Sequence, residues 1–194
     1  DDTTPATAVC PAVPRNDPNL KLFTTISAAL AAAVSGGTIL VCPGVYTAPL
    51  VVPISVTIES TEGAFPRKGA NGQLIPNTGT IIVVTTGQAA VTFNNVTGTT
   101  HPRIGSTRGG QNHGFVITTA PISGSAAIQP TGVGIDVIGS AVDIEGNVIV
   151  SNTIGVRADS LGTSKLPSIT NNLIIGNSTG RIDMTGRTRE ALGK

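Results

Sequence analysis

Val142-Asp143-Ile144-Glu145-Gly146-Asn147-Val148-Ile149-Val150-Ser151-Asn152 is answered further on by Ser168-Ile169-Thr170-Asn171-Asn172-Leu173-Ile174-Ile175-Gly176-Asn177. The Asn-x-Ile-x-x-Asn element, Asn147/Asn152, returns as Asn172/Asn177 after 25 residues (147 to 172, 152 to 177). A second element repeats around it. Gly134-Ile135-Asp136-Val137 recurs as Gly155-Val156-Arg157-Ala158 and, more loosely, as Arg181-Ile182-Asp183-Met184. A period of this length suits one turn of a solenoid, in which each turn closes its core against the next. Ile135, Val137, Ile144 and Ile149 are expected to point inward. Asn at the corners is expected to accept the left-handed backbone conformation and to form a ladder of like residues: Asn147 with Asn172, Asn152 with Asn177.

The pattern extends upstream as short apolar strands punctuated by turns: Thr38-Ile39-Leu40-Val41-Cys42, Leu50-Val51-Val52, Val56-Thr57-Ile58, Ile81-Ile82-Val83-Val84, Ala90-Val91-Thr92-Phe93 and Gly114-Phe115-Val116-Ile117. Longer loops over 59–79 and 97–113 interrupt it. One helix is predicted over 24–36. Ile26, Ala29, Leu30, Ala33 and Val34 share a face, Thr24 or Thr25 is its N-cap, and Gly36 its stop. Composition agrees with a narrow aliphatic core. Only 12% of the 194 residues are charged, and the aromatics are four Phe and one Tyr with no Trp. The expected fold is all-β, a single-stranded right-handed parallel β-helix with an N-terminal helical cap. Residues 1–22 form an extended Pro/Thr-rich arm, 23–184 the β-helix and 185–194 a polar tail.

The stretch Thr25-Ile26-Ser27-Ala28-Ala29-Leu30, followed by Gly36-Gly37-Thr38-Ile39-Leu40-Val41-Cys42-Pro43-Gly44-Val45-Tyr46, resembles the opening of pectin-lyase-like right-handed β-helix proteins. The resemblance covers residues 24–184. It implies a helix that caps the first coil and a Pro-Gly-x-Tyr turn that leaves the first strand. For function it implies a wide range: polysaccharide lyases and hydrolases, epimerases, phage tailspikes, adhesins and non-enzymatic surface proteins.

Net charge is +1, and there is no basic stripe, so nucleic acid is not an expected partner. The longest mostly apolar run, Ile26 to Val34, is too short to span a bilayer. Asp1-Asp2-Thr3-Thr4-Pro5 reads as a mature N-terminus exposed by cleavage. Cys10 and Cys42 have neither CxxC spacing nor a His cluster, which argues against zinc. They form either a disulfide pinning the arm, which implies an oxidising compartment, or two buried thiols.

The acids away from the termini are Glu59, Glu62, Asp136, Asp143, Glu145, Asp159 and Asp183. Asp143 and Glu145 share an outward strand face; they are either solvated or a weak calcium pair. Aligning Ile135, Val156 and Ile182 sets Asp136, Arg157 and Asp183 in one column. That column is either a charge ladder or, with Asp143 and Glu145, the carboxylates and base of a lyase. His101 and His113, with Arg103 and Arg108, form a polar loop or hold a general base. Asn95-Val96-Thr97 and Asn177-Ser178-Thr179 match the glycosylation triplet.

The expected function is a non-catalytic extracellular or cell-surface structural protein that needs no cofactor. Its C-terminal end has no evident apolar cap, so its expected partner is itself, in head-to-tail oligomers or filaments. The alternatives are a polysaccharide lyase or other carbohydrate-active enzyme using Asp136, Asp143, Glu145 and Arg157, and a glycan-binding tailspike or adhesin segment.

Overall fold

The structure is a computed structural model, and it describes residues 23–47, 49–64, 79–84, 86–98, 100–108, 111–120, 131–159 and 167–183; the side chains of 97 and 181–183 are not described. The expected arm and polar tail lie outside these residues. After helix α1 (Ile26–Ala32), fifteen short strands follow in five coils of three. The first coil holds β1 (Thr38–Val41), β2 (Gly44–Tyr46) and β3 (Leu50–Ile54). The second holds β4 (Thr57–Ser60), β5 (Thr80–Val83) and β6 (Val91–Thr97), and the third β7 (Arg103–Ile104), β8 (Val116–Thr118) and β9 (Val133–Ile138). The fourth holds β10 (Asp143–Glu145), β11 (Val148–Val150) and β12 (Ile154–Asp159), and the last β13 (Ser168–Thr170), β14 (Leu173–Ile175) and β15 (Thr179–Asp183).

Equivalent strands of successive coils pair in parallel. They form sheet A (β1-β4-β7-β10-β13), sheet B (β2-β5-β8-β11-β14) and sheet C (β3-β6-β9-β12-β15). This is a parallel β-solenoid. The second and third coils occupy the region that sequence periodicity left loosely defined.

The register explains the choice of residues. In sheet A, Ile39, Ile58, Ile104, Ile144 and Ile169 form one column. In sheet B, Tyr46, Ile82, Ile117, Ile149 and Ile174 form another. Sheet C contributes Leu50, Val91, Ile135 and Val156, beside Val52, Phe93, Val137 and Ala158. These columns meet in one core. A three-residue strand has one inward position, so that position takes a β-branched or aromatic side chain worth roughly 1.5–3 kcal/mol of burial.

Helix α1 is shorter than its apolar pattern predicts. Thr25 caps it, its hydroxyl accepting from the Ala28 amide at 3.0 Å. The chain leaves helical geometry at Ala33, three residues before Gly36. Val34 therefore does not join the buried face of Ile26, Ala29 and Leu30, and is 73% exposed. Gly36 has a positive φ of 84°, but it serves the turn into β1, its amide donating to Ser55 O at 2.7 Å. Tyr46 is buried, and its hydroxyl closes the turn by donating to Cys42 O at 2.9 Å.

Candidate functional site

The coils are joined at their corners by asparagine. Asn147 is 1% exposed and Asn152 is fully buried. The Asn147 amide nitrogen Nδ2 donates to Ile104 O, Glu145 O and Asn172 Oδ1, while its Oδ1 accepts from the Phe115 amide. Asn172 repeats the pattern one coil later, donating to Ile144 O and Thr170 O. Asn152 and Asn177 build the second ladder the same way: Asn177 Oδ1 takes both the Asn152 backbone amide and its Nδ2 at 2.9 Å. Each side chain thus clips one coil to the coil before it. The left-handed residue is not the ladder Asn, as expected, but the one before it: Gly146, Ser151, Asn171 and Gly176 have φ between 54° and 70°. The turn bends at that residue, which frees the next side chain to point inward.

The outward charges divide between two sheets. On sheet C, Asp136 and Arg157 are register partners. Arg157 donates through Nε to Asp136 Oδ1 at 2.8 Å and through a terminal nitrogen to Oδ2. These bonds hold the Arg157 guanidinium above its ordinary pKa against the opposing effect of burial. The ladder does not continue to Asp183. Asn177 and Gly180 keep β15 in step with Asn152 and Gly155, so Ile182 stands opposite Arg157 and Asp183 opposite Ala158. Aligning on Ile182 would need one extra residue in β15.

On sheet A, Arg103 lies between the two carboxylates of β10. It is 3.3 Å from Asp143 and 3.8 Å from Glu145. His101 approaches Asp143 at 3.9 Å, and Thr107 donates to Glu145. Arg108 reaches down to the buried Glu59 carboxylate at 2.8 Å. Glu59 and Glu145 occupy one outward column two coils apart, with Gly105 between them. Asp143 and Glu145 therefore face a guanidinium supplied from the coil below, not a third acid. Among the described residues no three His, Cys, Asp or Glu side chains group as metal ligands.

The four residues expected to act together in a lyase do not converge. Asp143 and Glu145 are on sheet A, Asp136 and Arg157 on sheet C. Sequence reading placed Glu59, Arg103 and Arg108 in loops or left them unassigned. Their partners lie 40 or more residues away, and no spacing announces that. His113 bonds Ser60 O through Nδ1 at 3.0 Å, a corner contact between coils. Asn95, at φ 47°, is exposed, whereas the Asn177 amide is committed to its ladder. No helix among the described residues is long and apolar enough to cross a membrane. No protein-family model matches the chain, and no curated protein or solved structure matches it significantly.

Proposed function

We propose that this chain is a secreted, non-catalytic structural β-solenoid that self-associates head-to-tail through its ends. The observation that carries the reading is the contrast between the fourth and fifth coils. Ile144 and Ile149 are fully buried, but their column neighbours Ile169 and Ile174 are only partly so. Leu173 and Ile175 are 44% and 49% exposed. A coil becomes a core only when another layer covers it. At the other end α1 places Ile26 and Leu30 against the first coil, which supports its role as a cap.

The two ends thus differ, and unlike ends associate head-to-tail, which generates filaments or rings. The right-handed, pectin-lyase-like architecture belongs to this reading and is supported by the α1-β1-β2 opening and the three parallel sheets. So does a Cys10–Cys42 disulfide, supported by the absence of a free thiol at Cys42. Light scattering and electron microscopy of the full chain test the proposal. Oligomers or filaments that grow with concentration are expected; a strictly monomeric mass at high concentration overturns it.

One observation favours a second reading, carbohydrate cleavage on sheet A. Glu59 and Glu145 stand in one outward column with Gly105 between them, two carboxylates on one face, as acid–base cleavage of a glycosidic bond requires. Incubation with uronate polymers and neutral glycans decides it: new reducing ends or unsaturated products support cleavage, and a negative result across substrates removes it.

A further inference from the structure

We infer that Asn95 is an N-glycosylation acceptor and that Asn177 is closed to the same modification. This rests on the secretion proposed above, because the transfer takes place in a secretory lumen. Both residues open a matching triplet, Asn95-Val96-Thr97 and Asn177-Ser178-Thr179. The triplet alone does not choose between them. The hydrogens on each side-chain nitrogen do.

An asparagine amide carries two hydrogens on Nδ2 and two lone pairs on Oδ1. In the transfer, Nδ2 attacks the anomeric carbon of an oligosaccharide carried on a lipid pyrophosphate. The carbon–nitrogen bond forms as the carbon–oxygen bond to pyrophosphate breaks. The pyrophosphate leaves with the electron pair, and one amide proton passes to a base of the transferase. The product keeps one N–H and its carbonyl oxygen, so a folded acceptor must have one Nδ2 hydrogen to spare.

Asn177 has none. Its Nδ2 donates to Ile149 O at 2.9 Å and to Ile175 O at 3.2 Å, and its Oδ1 accepts both the Asn152 backbone amide and Asn152 Nδ2. A sugar on this nitrogen would remove one of those two bonds and stand in the seam between the fourth and fifth coils. Asn95 differs on each count. It is exposed, in a left-handed turn that asparagine accepts. Gly139, at the corner of the third coil, lacks the Cβ that would collide with Asn95 Oδ1. The oxygen end of the amide thus rests against that coil, while Nδ2 donates to the exposed Asn94 Oδ1 at 2.9 Å. Among the described residues this is the one bond that Asn95 Nδ2 makes. The other hydrogen is available, and the retained N–H can still serve Asn94. A glycan here would set a bulky hydrated group on the flank of a chain in which only 12% of residues are charged.

The test expresses the full chain behind a cleavable secretory leader in a eukaryotic host, so that delivery to the lumen does not depend on the chain's own address. Glycopeptide mass mapping of the secreted, protease-resistant protein, before and after N-glycanase, reads the sites. One glycan, at Asn95, is expected. Thr97→Ala should abolish it and Thr97→Ser restore it, both with Asn95 in place. Thr179→Ala, which destroys the other triplet and leaves the Asn177 amide in its ladder, should leave the map unchanged. An unmodified Asn95, or a glycan at Asn177 in the folded protein, overturns the inference. Fractionation of the source cells reads secretion separately: a chain confined to the cytosol removes that reading and leaves the choice of Asn95 over Asn177 standing.

Discussion

At the scale of single residues, two polar devices carry unequal weight, and burial decides which matters. Asn147 spans three coils: it bonds Ile104 O below, Asn172 above, and takes the Phe115 amide. Asn147→Ala removes the side-chain partner of the Ile104 and Glu145 carbonyls and of the Phe115 amide, at about 1–3 kcal/mol for each group left unpaired. A loss of about 2–4 kcal/mol in a urea titration is expected. Asn172→Ala, in the less covered fifth coil, should lose about 1 kcal/mol. Asn147→Asp should not rescue, because three acceptors share the two hydrogens of the Asn147 amide and a carboxylate donates none. The ion pairs divide in the same way. Asp136 is nearly buried, so Arg157→Ala leaves its carboxylate uncompensated; the partial exposure of Arg157 discounts the loss to about 1–3 kcal/mol. Arg103→Ala should cost about 0–1 kcal/mol, since solvent reaches all its partners. Equal losses in the two variants would contradict this ranking.

At the scale of strands, small residues set how closely coils approach. A Cβ on Gly134 would lie 2.6 Å from Gly155 O, and one on Gly155 would lie 2.5 Å from Gly180 O. Neither glycine has a positive φ, so the constraint is stacking and not backbone strain. Gly134→Ala or Gly155→Ala should therefore destabilise by about 1–3 kcal/mol, with thermal melts as the readout. This glycine column and the Asn ladders are what made the last coils legible in the sequence, because both recur with little change. The second and third coils were harder to read for physical reasons. Phe115 occupies in the third coil the ladder position that Asn147 holds in the fourth, and Thr80 holds it in the second. Strand β7 is two residues long, too short for an alternating pattern. What persists there is one inward apolar side chain in each strand of sheets A and B and two in each strand of sheet C. The charged face of sheet A was unreadable because register, not spacing, brings Arg103 beside Asp143. For β15 the reading failed by one residue: it followed the apolar Ile182, whereas Asn177 and Gly180 set the register.

At the scale of the whole molecule, a solenoid is a stack in which each coil touches only its neighbours, so stability varies along it. The middle coils hold Phe93, Phe115, Ile104 and Ile117 with no exposure. The fifth coil holds half-covered Ile169 and Ile174. Its strand β15 sets Arg181 and Asp183 in the columns that Val156 and Ala158 occupy in the fourth coil. Amides of β14 and β15 should consequently exchange hydrogen through local opening, while those of β8 and β11 wait for larger unfolding. The side-chain counterpart is that Ile149→Ala should cost about 2–5 kcal/mol and Ile174→Ala distinctly less. Self-association makes a further demand on the same measurement. If a second copy covers the fifth coil, protection of β13 and β14 should rise with protein concentration, while that of β8 stays constant. Binding to the folded state alone stabilises it by mass action, so occupancy at 100 times the dissociation constant would add about 2.7 kcal/mol at that end. Protection that is independent of concentration at both ends would mean that no second copy covers the fifth coil.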